Sequence, residues 1–193
     1  VYADPDLTAW AYLPSTNAKG GDAWFNSYWG DYDNPVKGNY AFATFIHELG
    51  HALGLEHPHE GNTMPNDRDS MEYTVMTYKS YVGADNGYVN EEFGFAQSLM
   101  MYDIAALQHV YGANFNTNSG NTTYQWSPTT GEMFVNGVGQ GAPGDNRIFQ
   151  TIWDGGGIDT YDFSNYSGEI WAIDLRPGEW TMTNYDQLAL LRA

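Results

Sequence analysis

One stretch in the first third of the chain restricts the local fold and the chemistry more than any other. Residues 42–61, FATFIHELGHALGLEHPHEG, hold four of the five histidines in the 193-residue chain. Apolar residues recur there at intervals of three and four, as in a helix with one buried face. These residues are Phe42, Phe45, Ile46, Leu49, Ala52 and Leu53. The sequence therefore predicts an amphipathic helix that runs to Leu53.

The histidine spacing predicts a metal site on this helix. His47 and His51 are four residues apart, which puts both rings on one face, one turn above the other. Gly54 can adopt the left-handed conformation that ends helices, so the chain can turn back and bring His57 to the same point. Pro58 then fixes the exit. Zinc binds neutral histidine nitrogens at about 2.0–2.1 Å in a tetrahedral array, so we predict a zinc site.

Glu48 lies between the first two ligands in sequence and is rotated by about 100° from His47 on a helix. We predict that it is a general base for a water molecule in the fourth position. Packed histidines, or a metal site that only holds structure, are the alternatives. An open fourth position favours catalysis. We expect His59 on the surface, and His109 on a helix surface or partly buried.

The composition narrows the classes of partner. With 24 Asp and Glu against 7 Lys and Arg, the formal net charge is −17, which argues against nucleic acid and anionic membranes. The chain has no cysteine, so disulfides and thiolate metal sites are excluded. No apolar run approaches the roughly 18 residues of a membrane span.

The character of the chain changes near Gly112. Residues 1–112 combine a predicted strand, Ala9–Pro14, with two helical segments, and residues 113–193 consist of short β-rich runs between turns. The predicted strands there are Ile148–Trp153, Thr160–Phe163 and Ile170–Leu175. An α+β unit followed by an all-β unit is the expected organisation. One aromatic cluster could pack the core or line a substrate cleft, namely Trp24, Phe25, Tyr28, Trp29 and Tyr32.

The elongated histidine motif, followed by YTVMTYKSY at residues 73–81, resembles the metzincin metalloproteases, whose pattern ends in a methionine-containing turn. The resemblance implies that Met76 lies beneath the zinc ligands without binding the metal. It also implies that Tyr78 is a further zinc ligand, which swings away to hydrogen-bond the oxyanion. Pro58 after the third histidine is similar to serralysins, the secreted bacterial branch, whereas astacins usually have glutamate there.

Three further segments resemble serralysins. YDIAALQHVYGAN, residues 102–114, is similar to the helix and glycine exit that close the catalytic domain. NSGNT (118–122) and WDGGGIDTYDFS (153–164) resemble the paired segments that enclose the first calcium ion. The calcium ligands implied by this resemblance are Asn118, Gly120, Thr122, Asp154, Gly156, Gly157 and Asp159. From the residues alone, an Asp-Gly hairpin turn is the alternative.

The resemblance implies a metzincin catalytic unit in residues 1–112 and the beginning of a β-roll or sandwich-like calcium unit in residues 113–193. We therefore expect a secreted, monomeric zinc endopeptidase with Zn²⁺ and Ca²⁺, acting on proteins or peptides; a proteinaceous inhibitor remains an open partner. A non-proteolytic zinc hydrolase and a calcium-stabilised β-rich binding module are the alternatives. Serralysins carry further protein before and after the matched segments, so we expect a fragment of a longer enzyme.

Overall fold

The computed structural model describes residues 8–28, 32–168 and 170–193. These residues form two α-helices, six short strands and one 3₁₀ turn. In chain order they are β1 (Ala9–Ala11), β2 (Ala23–Phe25), α1 (Tyr40–Ala52), α2 (Met101–Tyr111), β3 (Thr123–Trp126), β4 (Met133–Val135), β5 (Val138–Gly139), β6 (Thr160–Asp162) and the 3₁₀ turn (Tyr185–Gln187). No helix within the described ranges has the length and apolar character needed to cross a membrane.

Helix α1 ends where the sequence predicts, with Leu53 as its C-cap, whereas its start after Asn39 was not predicted. The side chain of Asn39 accepts a hydrogen bond from Phe42 N at 2.8 Å, which satisfies one of the free N–H groups of the first turn. At the other end Gly54 has a φ of 101°, a left-handed value that glycine adopts without strain. The chain then reverses, and Leu55 N donates to Gly50 O at 2.9 Å. The reversal directs the following residues back toward the helix.

Strands β1 and β2 form an antiparallel pair, with Ala9 opposite Phe25, and the pair packs against α1. The predicted strand Ala9–Pro14 is shorter than expected: it ends at Ala11, and the last backbone bond to the neighbouring segment is from Tyr12 N to Asp22 O. Pro14 has no N–H with which to extend the ladder. The ring of Phe25 lies 4.0 Å from that of Phe45. Two members of the aromatic cluster, Phe25 and Tyr32, therefore pack on α1, Tyr28 is exposed, and Trp29 lies outside the described residues.

The second sheet has the strand order β5-β4-β3-β6, with β3 and β6 parallel and the other neighbours antiparallel. The predicted strand Thr160–Phe163 is confirmed as β6. Strands β3, β4 and β5 were not predicted. Tyr124 and Trp126 on β3 are almost completely buried, so β3 is the strand that anchors this sheet to its core.

The predicted strand Ile148–Trp153 is wrong, because the segment has no strand neighbour. Its backbone instead bonds to separate loops: Ile148 N donates to Gln187 O, and Gln97 N donates to Phe149 O, both at 2.8 Å. The predicted strand Ile170–Leu175 is also wrong as a regular strand, since it keeps a single bridge from Ala172 to Met182. In both segments, apolar residues fill the core without a ladder.

Helix α2 ends at Gly112, whose φ of 83° confirms the predicted glycine exit. The main hydrophobic core continues past this point in the chain. Phe149 packs in the same buried cluster as Met76, Ala96 and Met100. The regions before and after Gly112 therefore share a core.

Candidate metal centre

The structure brings His47, His51 and His57 to one point. One nitrogen from each ring lies within 4.8 Å of the others. The Nε2 atom of His57 is 3.0 Å from Nε2 of His51 and 3.3 Å from Nε2 of His47. A tetrahedral ion with bonds of about 2.0–2.1 Å holds its ligand atoms roughly 3.3 Å apart. The spacing of these nitrogens therefore fits a zinc-sized ion.

The hydrogen bond made by the Nδ1 atom of each histidine determines which ring nitrogen carries the proton. Each Nδ1 is bound to an acceptor: Val75 O for His47 at 2.7 Å, Leu55 O for His51 at 2.7 Å and Glu60 Oε2 for His57 at 3.0 Å. A carbonyl or carboxylate oxygen only accepts, so Nδ1 carries the proton and Nε2 of the neutral ring has a free lone pair. Three lone pairs then face one another, an arrangement that a cation stabilises.

The environment favours the neutral, metal-binding form of the two helix histidines. Burial is the main cause that lowers the pKa of His47 to about 4; the Val75 carbonyl opposes it, and the neighbouring rings of His51 and His57 add to it. Burial also lowers the pKa of His51. Both rings are therefore uncharged at neutral pH, as ligands to a metal must be.

Glu48 is buried beside this cluster, with 5% of its surface exposed. Its Oε2 atom has no hydrogen-bond partner among the described residues. Burial raises its pKa to about 7, the range in which a carboxylate can take up and release a proton at neutral pH. A cavity of about 230 Å³, lined in part by Tyr40 and Tyr88, opens next to it. The cavity is large enough for a small group or side chain to reach the carboxylate.

Tyr78 completes the rim of the cluster. Its hydroxyl is 2.7 Å from Nε2 of His57 and donates to it, since that nitrogen has no proton. The side chain is 37% exposed, so it borders solvent and can change rotamer. His59 is exposed, as predicted, but its ring also stacks on His57 at 5.3 Å; the sequence analysis missed this contact. His109 is exposed on α2.

Met76 packs directly under the helix that carries the histidines. It is 2% exposed, and a Cβ added to Gly50 would lie 2.5 Å from its sulfur. Only glycine at that position allows the thioether to touch the helix backbone between His47 and His51. The methionine therefore provides an apolar floor for the two rings.

The residues that hold this floor in place were missed by the sequence analysis. The buried carboxylate of Asp103 on α2 accepts hydrogen bonds from Thr74 Oγ1, Val75 N and Met100 N at 2.5, 2.8 and 2.8 Å. Burial raises its pKa to about 6, against these hydrogen bonds. Asp103 thus fixes Val75, the residue whose carbonyl orients His47. An acid in the first turn of a helix was the available signal.

We refer to residues 74–80 as the Tyr78 turn. A second aspartate supports it from the other side: Asp69 accepts from Thr77 Oγ1 at 2.6 Å and from Lys79 Nζ at 2.7 Å. Burial alone would raise the pKa of Asp69, but these hydrogen bonds outweigh it and leave the pKa below its ordinary value. Every residue of the turn is buried except Tyr78 and Lys79.

The segments that resemble a calcium site also lie together. Thr122 N donates to Asp159 Oδ1 at 2.9 Å, and the Thr122 hydroxyl is 3.0 Å from the carbonyl oxygens of both Asn118 and Gly120. One hydroxyl proton cannot serve two acceptors at once. A Cβ on Gly157 would lie 2.3 Å from Gly120 O and 3.0 Å from Asp159 Oδ1. Glycine thus leaves a small space lined by oxygen atoms.

Asp154 and Gly156 lie at the edge of this oxygen cluster. Asp154 Oδ1 accepts from Gly156 N at 2.8 Å and Oδ2 accepts from the hydroxyl of Tyr124 at 2.7 Å. Gly156 and Gly157 have φ values of 150° and 129°. Such backbone suits glycine and bends the loop around Asp159.

Comparison with known proteins finds similarity to serralysins both in the part of the chain with the histidine cluster and in the β-rich part. Residues 113–182 match the family model described as Peptidase M10 serralysin C terminal. The chain is 35% identical to Serralysin C of Dickeya chrysanthemi over 184 residues and 36% identical to a Serralysin of Proteus mirabilis over 195 residues. It is 37% identical to Metallopeptidase AprA of Pseudomonas marginalis over 172 residues.

These matches cover 90%, 92% and 82% of this chain but only 36%, 38% and 35% of the respective relatives. The chain therefore spans little more than a third of the length of the curated relatives it matches. The matched segment includes the histidine cluster as well as the β-rich part, since so little of the chain lies outside it. The chain is similar to the serralysin metallopeptidases along most of its length, and its residues 113–182 correspond to the serralysin C-terminal domain.

Proposed function

We propose that this chain carries the active centre of a secreted zinc endopeptidase of the serralysin type. The observation that supports it most is the convergence of three Nε2 lone pairs, each fixed by a hydrogen bond at Nδ1. Similarity to proteins named serralysin and metallopeptidase supports the same chemistry. On the same similarity we propose that the protein is secreted, acts on protein or peptide substrates and is a monomer.

His47, His51 and His57 would hold the zinc ion, with the Tyr78 hydroxyl close enough to join them. Zinc bound there supplies Lewis-acid chemistry: it makes water acidic near neutral pH and withdraws electrons from a carbonyl group. The protein's part is to keep the three nitrogens unprotonated. The acceptors Val75 O and Leu55 O do so by retaining the Nδ1 protons.

Glu48 would move the proton of the reaction. Its free Oε2 takes a proton from water as the water oxygen bonds to the scissile carbonyl carbon, and returns it to the amine nitrogen as the C–N bond breaks. The hydroxyl of Tyr78 would turn from His57 toward the carbonyl oxygen and donate to it as negative charge develops there. Water and peptide are thus converted to a carboxylic acid and an amine, with Glu48 restored.

We propose that the second oxygen-rich cluster binds calcium. A hard cation of this size takes six to eight oxygen ligands, and carbonyls of Asn118 and Gly120, the Thr122 hydroxyl and Asp159 already face one space. Asp154, Gly156 and Gly157 border it. The ion would fasten residues 118–122 to residues 154–159 and so stabilise the β-rich unit that follows Gly112.

The experiment joins metal analysis to proteolysis. We expect one zinc per chain after dialysis against zinc, and cleavage of casein that a zinc chelator abolishes. His51→Ala should lose both zinc and cleavage. His109→Ala, which alters an exposed histidine on α2, should lose neither. Zinc binding without casein cleavage would point to a non-proteolytic hydrolase. Calcium-dependent stability with no zinc-dependent turnover would leave only a β-rich binding module.

A further inference from the structure

A segment that lies about thirty residues or more after the last zinc-site histidine in sequence makes hydrogen bonds to the backbone and side chains of the Tyr78 turn. We call residues 87–91 the bracing segment. Gly87 N donates to Tyr78 O at 2.8 Å, the Tyr88 hydroxyl donates to Thr77 O at 2.6 Å, and Val89 N donates to Ser80 Oγ at 2.8 Å. Thr77 and Ser80 are completely buried. The backbone position of Tyr78 therefore depends on where the bracing segment lies.

The other side of the bracing segment is bound by the region after Gly112. Arg147 holds the Glu91 carboxylate with two nitrogens, Nε to Oε1 at 2.6 Å and Nη2 to Oε2 at 3.0 Å. Glu91 N donates to Leu190 O at 3.0 Å and Leu190 N returns a bond to Glu91 Oε1 at 2.8 Å. The same guanidinium donates through Nη1 to Asp186 O at 2.6 Å. Arg147 thus ties the end of the chain and Glu91 into one unit.

Glu91 and Arg147 form a mostly buried, bidentate ion pair, which fixes the position of the two side chains relative to each other. Both side chains are mostly buried, with 19% and 17% of their surfaces exposed, and two parallel bonds define distance and orientation together. Isolated surface pairs contribute little, but removal of one partner here would leave the other charge largely buried and unpaired. The chain has only 7 Lys and Arg for 24 acids, so a displaced Glu91 would meet mostly like charge.

We propose that Glu91 and Arg147 are positioning residues for Tyr78: the β-rich region holds the bracing segment, and that segment holds the hydroxyl of Tyr78 beside His57. The inference rests on the proposed function, because it assigns the pair a role in that reaction. It also gives residues after Gly112 a part in the peptidase centre that is independent of calcium. A displacement of Glu91 would shift the bracing segment, and with it the Tyr78 turn and the Tyr78 hydroxyl.

The test is a double-mutant cycle in the zinc-loaded protein. Glu91→Gln, which keeps size and shape, and Arg147→Ala should each lower kcat by about 10-fold to 10²-fold, the cost of a small misplacement at a reacting centre, with KM and zinc content nearly unchanged. In a Tyr78→Phe background the same changes should cost almost nothing more, because the hydroxyl that they position is absent. Arg176→Ala, which removes an exposed guanidinium paired with Asp174, is the matched control.

A second readout does not depend on activity. Amide hydrogen exchange at Gly87 and Lys79 should become at least about tenfold faster in Glu91→Gln than in the parent, with the helix α1 amides unaffected. Equal losses of kcat in the presence and absence of the Tyr78 hydroxyl, or unchanged exchange at Gly87, would overturn the proposal. An inactive parent protein would defeat the proposed function instead, and the exchange comparison would still show whether the pair holds the turn.

Discussion

The histidine site on α1 and the oxygen-rich site beside β6 are assembled from the sequence in opposite ways. The three histidines lie within eleven residues, and each is oriented by a hydrogen bond from its own ring. The oxygen-rich site joins residues 118–122 to residues 154–159 and relies largely on backbone carbonyls. One site is carried by a single helix and its return loop, whereas the other exists only when two distant loops meet.

This difference determines what each cation would contribute. The three ligands of the short-range site are brought together by α1 and the Gly54 reversal, and only the acceptor for His47, Val75 O, comes from elsewhere. An ion there would add chemistry more than structure. A long-range site closes a loop of more than thirty residues, so an ion there would contribute to folding by holding the two loops together. We therefore expect changes at the first site to alter rates and changes at the second to alter stability.

The largest effect should come from Glu48→Gln. Zinc should remain bound because the three histidines are unchanged, yet kcat should fall by about 10²–10⁴ from loss of the general base alone. Steady-state peptide cleavage with metal analysis measures both. Glu56→Gln, an exposed carboxylate in the return loop, is the control. Near-normal cleavage by Glu48→Gln would remove the proposed role and blur the contrast between the two sites.

Tyr78→Phe should have the next largest effect. Loss of a donor to the oxyanion should lower kcat by about 10²–10³ with a smaller change in KM, and zinc content should survive. Tyr81→Phe, near the same turn but packed against Arg192, should be close to the parent. If KM rose while kcat held, Tyr78 would bind substrate rather than stabilise the oxyanion.

Calcium titration tests the second site through stability. At a calcium concentration a hundred times the dissociation constant, binding to the folded state alone adds about 2.7 kcal/mol. Thermal unfolding at fixed zinc should show this gain in the parent and in Asp162→Asn, whose carboxylate instead bonds Gln125 and Ser164. Asp159→Ala and Asp154→Ala should lose much of the gain. Equal calcium responses in all four proteins would leave only a hairpin turn at this position.

The last prediction concerns the support of the Tyr78 turn and is measured as stability. Asp69→Asn removes a carboxylate that bonds Lys79 and Thr77, and charged hydrogen bonds of this kind contribute about 1.5–3 kcal/mol. The folded pKa of Asp69 is lowered from 3.8, so its contribution is complete above that pH and is lost as the pH falls through the folded pKa.

Urea unfolding from about pH 7 to about pH 2 measures the gap between parent and variant. The gap should close at the acid end. Asp67→Asn, which breaks an exposed pair with Arg68, should cost much less throughout. A gap that stays constant down to the lowest pH would mean that Asp69 stabilises the turn by shape and not by charge.

The sequence predicted the local features of the fold and few of the long-range ones. Helix α1, the exit at Gly54 and the end of α2 at Gly112 depend on residues near one another in the chain, and all three are confirmed. The strand predictions at Ile148–Trp153 and Ile170–Leu175 are wrong because an apolar run does not reveal whether a partner strand exists. Pairing is a property of the tertiary structure.

The candidate site divides in the same way. The histidine set and Glu48 follow from local spacing on α1 and from the Gly54 reversal; the structure brings one nitrogen of each histidine together and buries Glu48 beside them. The supporting residues Asp69, Asp103 and Glu91 were not predicted, because they bond partners 8, 29 and 56 residues away in sequence. Only Asp103, in the first turn of α2, had a local signal. Their roles follow from burial and from hydrogen bonds that hydrophobic periodicity in the sequence does not predict.

The contact between Met76 and Gly50 also bears on the tolerance of the centre to oxidants. Conversion of a methionine to its sulfoxide adds an oxygen atom and makes a flexible apolar side chain polar. With the sulfur pressed against the helix backbone and only 2% of the residue exposed, peroxide cannot reach it in the folded protein, and the added oxygen would have no room. Oxidation of Met76 therefore requires the Tyr78 turn to open, and the rate of oxidation by peroxide would report how often the turn opens.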